Sequence, residues 1–170
     1  MEEITKFRSE PKIVSQSEVD GILKKYDFFD EVENISGHGF NNEFVEQTIR
    51  GEKIVIDKAT ELMWQQGGSK RLMSYEDAIK YINIINRSLY ANYANWRLPT
   101  IEEGMSLVKP KEMLGILHIH PVFDRNQGVI WTSDFDIDKR HVWAVTFYGG
   151  GCISKTHDLN YSYVRAVRSV

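Results

Sequence analysis

The most informative stretch of this chain is Trp96-Arg97-Leu98-Pro99-Thr100, which places an aromatic ring, a cation and a turn side by side. Thr100 and Glu103 have the spacing of a capping box, so a helix is predicted to begin directly after the Leu-Pro turn. A bulky ring beside a fixed turn stabilises irregular backbone. Similar turn-rich phrases surround the other three tryptophans, Trp64, Trp131 and Trp143. We therefore expect a domain whose buried indoles stabilise loops as well as regular elements.

Helical patterns lie on both sides of this stretch. Ser15 and Glu18 form a second capping box, which predicts a short helix over about residues 16–26. Ser74 is predicted to cap a longer helix, whose buried face carries Ala78, Ile82, Ile85 and Leu89. The helix after Thr100 is predicted to end before Pro110 and to bury Ile101, Met105 and Val108.

Strand patterns are short and fall mostly in the second half of the chain. They cover residues 54–56, 62–64, 129–132, 141–148 and 161–169. The triple glycine Gly149-Gly150-Gly151 is predicted to turn the chain, because glycine adopts positive φ without steric cost. Helices followed by several strands indicate an α+β fold with a small, mainly antiparallel sheet.

Two regions are predicted along the chain. Residues 51–170 form the main domain, and residues 1–50 form an N-terminal arm and short helix docked on it. The docking is expected because four phenylalanines are too many for a free linker: Phe28, Phe29, Phe40 and Phe44.

Composition narrows the classes of function. The chain has 170 residues, 42% of them hydrophobic, which fits one packed domain. A net charge of -3 and a pI near 6.0 give no broad attraction to nucleic acid or to anionic membranes. No apolar run is long enough for a transmembrane helix, and the start Met1-Glu2-Glu3 is unlike a secretory signal, so a cytoplasmic location is expected. Cys152 is the only cysteine, which excludes an intrachain disulfide; the oligomeric state stays open.

Five phrases occur in a fixed order, and together they resemble a bacterial family, the Lcl C-terminal-like domain. The phrases are Asp57-x-Ala59-Thr60-x-Leu62-Met63-Trp64, Trp96-Arg97-Leu98-Pro99-Thr100, Trp131-Thr132-Ser133-Asp134, Trp143-x-Val145-x-Phe147 and Tyr163-Val164-Arg165-Ala166-Val167-Arg168. That family, found at the C-terminus of a collagen-like adhesin and of unknown function, is similar to the formylglycine-generating enzymes. The resemblance covers about residues 50–170. It implies a C-type-lectin-like fold, in which two helices pack on a small, twisted, loop-rich sheet.

The chain departs from the functional motifs of these relatives. Formylglycine-generating enzymes hold copper with a pair of cysteines, whereas Cys152 stands alone. Sugar-binding C-type lectins hold calcium through a Glu-Pro-Asn-like loop and a Trp-Asn-Asp phrase, and neither occurs here. The resemblance therefore supports an expectation about the fold more strongly than one about the function.

The acidic segment Asp134-Phe135-Asp136-Ile137-Asp138 is the best metal candidate. Carboxylates at alternate positions of an extended segment point to one side, and hard oxygen ligands suit calcium. Lys139 and Arg140 follow directly and offer internal neutralisation, so the alternative is a solvated hairpin tip. No other cofactor is expected.

Two further sets of residues have catalytic or metal-binding side chains. His118 and His120 with nearby Asp124 offer two imidazoles and a carboxylate, against the alternative of a loop histidine pair. Cys152 follows the glycine turn with His157 close by, against the alternative of a packed structural thiol. Neither set completes a catalytic constellation, so we lean towards a protein that is not an enzyme.

The two arginines of the resembling phrases, Arg97 and Arg165, have a structural and a functional interpretation. Anion recognition is the functional one. The structural one, which we favour, pairs each guanidinium with a carboxylate such as Asp57, Glu102 or Glu103.

The segment from Tyr148 to Tyr161 is the candidate recognition surface. In the resembling fold it corresponds to the exposed ligand-binding face, and its side chains are adaptable contact residues. The predicted contact residues are Tyr148, Lys155, His157, Asn160 and Tyr161. The leading hypothesis is a recognition module that binds a protein or glycan partner through loops between Trp131 and Tyr161. The alternative is a metal- or thiol-dependent enzyme like the formylglycine-generating group.

Overall fold

Two antiparallel sheets form the centre of the computed structural model, which describes residues 3–170. The first sheet has the order β1-β2-β3-β7, with β1 (Phe44–Ile49), β2 (Glu52–Asp57), β3 (Leu62–Gln65) and β7 (Val167–Ser169). The second has the order β4-β5-β6, with β4 (Val129–Phe135), β5 (His141–Thr146) and β6 (Gly151–Thr156). Every strand pair in both sheets is antiparallel.

Three α-helices accompany the sheets: α1 (Gln16–Lys25), α2 (Tyr75–Arg87) and α3 (Ile101–Met105). Each begins where its cap predicts. The Ser15–Glu18 and Thr100–Glu103 capping boxes are both formed, and the Ser74 hydroxyl accepts a hydrogen bond from the Asp77 amide. The predicted α+β class with mainly antiparallel pairing is confirmed, but the described residues form two sheets where one was expected, and α1, predicted in the arm, adds a third helix to the two expected in the main domain.

The C-terminal ends of two helices differ from the predictions. Helix α2 ends at Arg87, and Leu89, predicted on its buried face, is exposed with a φ of 54°. The chain reverses there because the Asn86 amide holds the backbone of Trp96 by two hydrogen bonds. Helix α3 ends before Val108, because Val108 pairs with Ile119 in a β-bridge instead of continuing the helix.

The closing strand is also shorter than residues 161–169. Only Val167–Ser169 forms β7, beside β3. The preceding residues bridge to other parts of the molecule, since Ser162 pairs with Met73 and Tyr163 pairs with Ile130. This segment therefore connects the two sheets rather than extending one of them.

The four indoles are buried, as predicted, with exposed fractions of at most 2%. Three of them donate to backbone carbonyls of irregular segments: Trp96 to Tyr90 at 2.9 Å, Trp131 to Met73 at 3.0 Å and Trp143 to Val14 at 2.8 Å. Among residues 3–170 the Trp64 N–H has no acceptor. Trp96, Trp131 and Trp143 therefore hold these segments against the core, because a buried indole N–H usually finds a hydrogen-bond acceptor.

The N-terminal segment packs into the same core. Val14, Val19, Leu23 and Phe28 are fully buried, and Phe29 nearly so. The first two residues of the predicted arm, Met1 and Glu2, lie outside the described residues. A boundary at residue 50 between two units stays a prediction.

Arg8 fixes the arm to the main body. Its guanidinium contacts the buried Asp134 carboxylate through two hydrogen bonds of 2.7 Å and the Glu102 carboxylate through bonds of 3.1 and 2.5 Å. Burial by itself lowers the pKa of Arg8, but the bonds and charges of Asp134 and Glu102 outweigh it and raise the pKa. Arg8 is therefore held as a cation between two anions.

We predict that Arg8→Ala lowers the free energy of unfolding by about 3 kcal/mol or more, because it leaves the Asp134 carboxylate buried without its cation. Urea unfolding monitored by tryptophan fluorescence measures the change. Lys6→Ala is the matched control: Lys6 also pairs with a carboxylate, Glu61, but both side chains are exposed, so a loss below about 1 kcal/mol is expected. Equal losses for the two variants would contradict the assignment.

Candidate functional site

A wide groove of about 1670 Å³ lies beside helix α2. Its walls are the loop of residues 65–73, the exposed face of α2 and the loop of residues 124–127. We call it the amide groove, because glutamine side chains from the two loops line it: Gln65, Gln66 and Gln127.

Gln65 and Tyr81 form one side of the groove with a fixed hydrogen-bond arrangement. The Gln65 side chain accepts from the Ala166 amide at 2.9 Å and donates to the Tyr81 hydroxyl at 2.9 Å. Gln65 is buried at the end of strand β3, so its amide is held in one orientation. The Tyr81 hydroxyl, having accepted this bond, keeps its own hydrogen for a ligand.

Gln127 and Ser69 form the other side. The Gln127 amide donates to the Ser69 carbonyl at 2.9 Å, and the Ser69 hydroxyl accepts from the Val164 amide at 2.9 Å. Both residues are buried. Loop 65–73 and loop 124–127 are therefore held against each other and against the C-terminal segment.

Arg165 supports both loops from beneath. Its guanidinium is fully buried and donates to the carbonyls of Gln66, Gly67 and Asp124 at 3.0–3.2 Å, and to the Gln127 side chain at 3.3 Å. It also lies 4.8 Å from the centre of the Phe123 ring. Arg165 thus positions the groove without contacting its surface.

The prediction of carboxylate partners is right for one arginine and wrong for the other. Arg97 forms a bidentate pair with Glu103, with distances of 2.7 and 2.6 Å. Arg165 bonds to backbone carbonyls instead, because the loops around it present carbonyl oxygens where a carboxylate was expected. Burial lowers the pKa of Arg165, and the more distant Asp124 charge opposes this shift.

The border of the groove combines charges of both signs with apolar side chains. Basic residues are Lys53, Lys70, Arg71 and Lys80, and acidic residues are Glu52, Asp77 and Asp124. Leu72, Ile84 and Tyr161 are its exposed apolar residues. A ligand would thus meet polar groups at the floor and apolar contacts at the edge.

The predicted contact residues do not form one cluster. Tyr161 borders the amide groove, and Lys155 lies next to it, donating to the Tyr161 carbonyl at 2.6 Å. Asn160 is next to Tyr161 in the sequence. The backbone amide of His157 donates to the Arg140 carbonyl, which places His157 at the same end of the hairpin formed by β5 and β6. Tyr148 lies at the opposite end of that hairpin, about 20 Å away at 3.3 Å per residue of strand.

The three carboxylates of the acidic segment have separate partners. Asp134 is buried in β4 and bonds to Arg8, Asp136 accepts from Ser154 at 2.9 Å, and Asp138 contacts His141 at 2.5 Å. Within residues 3–170, no group of three or more histidine, cysteine, aspartate or glutamate side chains is arranged to hold a metal ion. The structure gives the calcium hypothesis no support.

His118 and His120 also have separate environments. His118 stacks on Phe29 at 5.7 Å and contacts the Lys109 carbonyl through Nδ1 at 2.8 Å. His120 instead packs against the Phe44 ring at 5.3 Å. The structure therefore does not bring the two imidazoles together as a ligand pair.

Cys152 is the second residue of strand β6 and lies beside Asp30, whose carboxylate accepts from the Cys152 amide at 3.0 Å. Burial of the thiol, helped by the negative charge of Asp30, raises its pKa well above the usual value. The thiol is consequently poorly suited to act as a nucleophile.

Residues 53–168 match the family described as the Lcl C-terminal domain. The chain belongs to the Lcl C-terminal domain family. No curated protein and no solved structure gives a match. In the described part of this Lcl C-terminal domain protein, no helix has the length and apolar character needed to cross a membrane.

Sequence reasoning missed the polar residues of the groove in this Lcl C-terminal domain, namely Gln65, Tyr81 and Gln127. Gln65 ends a buried strand just before Gly67-Gly68, and this position was the one available signal, because a polar residue there needs a partner. Gln127 and Tyr81 lie in unremarkable sequence, and only the tertiary structure brings them to the groove.

Gly68 is predicted to be essential for the shape of the groove. Its φ is +139°, and a Cβ there would lie 1.9 Å from the Val164 carbonyl oxygen. Gly68→Ala should cost about 3 kcal/mol of unfolding free energy, from backbone strain and overpacking. Gly21→Ala in helix α1 is the control: its Cβ meets nothing within 4 Å, and a gain of about 0.5–1 kcal/mol is expected. Thermal unfolding of both variants checks the sign of each effect.

Proposed function

We propose that this domain is a non-enzymatic recognition module, and that it binds a protein or glycan partner in the amide groove. The observation that carries the proposal is the pre-organised polar floor of an open groove. Gln65 and Gln127 have their orientations fixed by hydrogen bonds inside the protein. Gln65 in turn holds the half-buried Tyr81 hydroxyl, so a ligand meets a group that needs little ordering on binding, which lowers the entropic cost.

The chemistry of the floor suits neutral hydrogen-bonding groups. Burial raises the pKa of both Tyr81 and Tyr90, so their hydroxyls stay protonated and uncharged in the physiological range. Backbone amides of a peptide and hydroxyls of a sugar both complement such hydroxyl and amide groups. The exposed ring of Tyr161 adds an apolar surface at the border.

The mixed charge of the border argues against a polyanionic partner. Lys70 and Arg71 lie on the loop wall, but Asp124 and Asp77 lie on the facing loop and helix. Nucleic acid would meet repulsion from these carboxylates, and the net charge of -3 adds no compensating attraction.

The enzyme alternative receives less support. A formylglycine-generating-like site needs two thiolates on copper, and the sequence contains Cys152 alone. Its raised pKa also argues against thiolate chemistry near pH 7. We therefore propose binding without chemistry or metal in the amide groove.

Tyr161→Ala is predicted to weaken partner binding at least tenfold, because it removes the exposed aromatic contact at the border. Ligands are first selected with the wild-type protein from a glycan array and from a random-peptide library, and affinities are then measured by calorimetry with and without EDTA. The control is Tyr148→Ala, since Tyr148 and Tyr161 are comparably exposed, at 49% and 55%.

The control variant is expected to bind like the wild type, because Tyr148 lies at the far end of the β5–β6 hairpin. Equal loss in the two variants, or loss with Tyr148→Ala alone, would move the site away from the amide groove. Loss of binding in EDTA would revive the calcium hypothesis.

Alkylation of Cys152 tests the enzyme alternative. Because its pKa is raised, we expect iodoacetamide at pH 8 to alkylate the folded protein at least about tenfold more slowly than the same protein in urea. Mass spectrometry of quenched samples gives both rates. A folded-state rate equal to or above the unfolded one would indicate an activated thiol and favour the enzyme.

A further inference from the structure

A second, smaller pocket of about 520 Å³ lies next to the amide groove, in front of the N-terminal end of β1. Six of its lining residues carry the chemistry: Asn41, Asn42, Phe44, Glu46, Lys109 and His120. Its volume falls within the range of small-molecule sites. Gln66 separates the two sites, since it lines the amide groove and donates to the Glu46 carboxylate at 2.9 Å.

Lys109 is held at one side of this pocket by two hydrogen bonds. Its Nζ donates to the Phe40 carbonyl at 2.8 Å and to the Asn42 side-chain oxygen. Nζ has three positions besides its carbon, and these two bonds occupy two of them. The third is an N–H in the ammonium and the lone pair in the neutral amine. The nitrogen is thus oriented in either protonation state.

The surroundings of Lys109 raise the neutral fraction of its amine above that of an ordinary lysine. Burial lowers its pKa to about 8, and the longer-range charge of Asp57 opposes this shift only in part. Among residues 3–170 no carboxylate forms an ion pair with Nζ. The Phe44 ring lies 5.8 Å from Nζ and provides an apolar neighbour.

The other titratable groups of the pocket are His120 and Glu46. His120 accepts the Val122 amide hydrogen at Nδ1 over 3.0 Å, so the proton of its neutral ring lies on Nε2. Burial and the charge of Lys109 both lower the pKa of His120. Glu46 is exposed, and its carboxylate accepts a hydrogen bond from Gln66 at the mouth of the pocket. A carboxylate in this position disfavours an anionic ligand and leaves a neutral one unaffected.

We propose that this pocket binds a small, neutral aldehyde or ketone by reversible imine formation at Nζ of Lys109. Desolvated lysines oriented in a pocket are the amines that proteins use for this chemistry. The site is separate from the proposed binding groove, and the step is covalent capture, not turnover.

The proposed step balances without an external oxidant or reductant. The Nζ lone pair forms a bond to the carbonyl carbon, and the carbonyl oxygen takes up a proton while nitrogen loses one, giving a carbinolamine. The nitrogen then gives up its second hydrogen as the oxygen leaves as water, so the C–O bond breaks and a neutral imine remains. Hydrolysis reverses the sequence and restores the two N–H groups that donate to Asn42 and Phe40.

Reductive trapping tests the proposal on the full chain. The protein is incubated with propanal and cyanoborohydride at pH 7, and propylated lysines are quantified by peptide mapping. Lys111, exposed and two residues away, is the internal control. We expect Lys109 to be labelled about tenfold or more faster than Lys111, because its amine is deprotonated more often than that of an ordinary lysine.

The pH profile separates reactivity from simple access. The ratio of Lys109 to Lys111 labelling should fall towards one between pH 7 and pH 11, as ordinary lysines also lose their protons. Lys109→Arg, which keeps a donor for Asn42, should remove the fast site and leave Lys111 unchanged. If that variant does not fold, the pH dependence of the Lys109 to Lys111 ratio in the wild-type protein still tests the proposal.

Three results would overturn the proposal. They are equal labelling of the two lysines at pH 7, a ratio that does not change with pH, and protection of Lys109 by acetate to the same degree as by acetone, which would mean an anion site. Failure of these tests leaves the amide groove untouched, because Tyr161→Ala is measured independently.

Discussion

The Asp134 carboxylate joins three parts of the chain that are remote in sequence. It accepts from both terminal nitrogens of Arg8, from the Lys12 amide at 2.9 Å and from the Ile101 amide at 2.8 Å. A buried carboxylate is tolerated only when it is paired and fully hydrogen-bonded, so these partners must all be present in the folded state. This requirement fixes the arm along strand β4 and fixes the start of helix α3. The Arg8 carbonyl also accepts from Thr100, whose hydroxyl caps that helix, so arm and helix depend on each other.

Arg165 plays the corresponding part beneath the amide groove, with carbonyl oxygens in place of carboxylates. Neutral acceptors compensate a buried cation less completely than anions do, which is why burial lowers the pKa of Arg165 whereas the pKa of Arg8 is raised. The arrangement joins the groove to the C-terminal segment, because carbonyl oxygens of both loops accept hydrogen bonds from Arg165.

Local interactions were predictable from the sequence, and distant ones were not. The caps of α1, α2 and α3 involve residues three apart, so residue type and spacing suffice. The Arg97–Glu103 pair is of the same kind, since its partners are only six positions apart. Arg8 and Asp134 are 126 residues apart, and no local pattern indicates that an arginine in a polar arm will neutralise an acidic segment. For this reason Asp134 looked like a calcium ligand in the sequence. The ends of α2 and α3 were mispredicted for the same reason. The Asn86–Trp96 hydrogen bonds and the Val108–Ile119 bridge are tertiary contacts, and the periodic pattern of apolar residues does not show them.

The two nucleophiles of this protein respond in opposite senses to the same physical influence. Burial disfavours the charged form of any side chain, and for a thiol the charged form is the reactive one. Cys152, one of the two nucleophile candidates in the sequence, has its pKa raised by burial and by Asp30 beside it, so its thiolate form is disfavoured. For an amine the neutral form is the reactive one. Burial lowers the pKa of Lys109 and so increases the fraction of its amine in that form. Nothing in the sequence distinguishes Lys109 from the other lysines, because its environment comes from Phe40, Asn42 and Phe44, more than sixty residues earlier. The half-buried amine of Lys109 is thus the proposed site of chemistry in this chain, and the amide groove beside it is the proposed site of recognition.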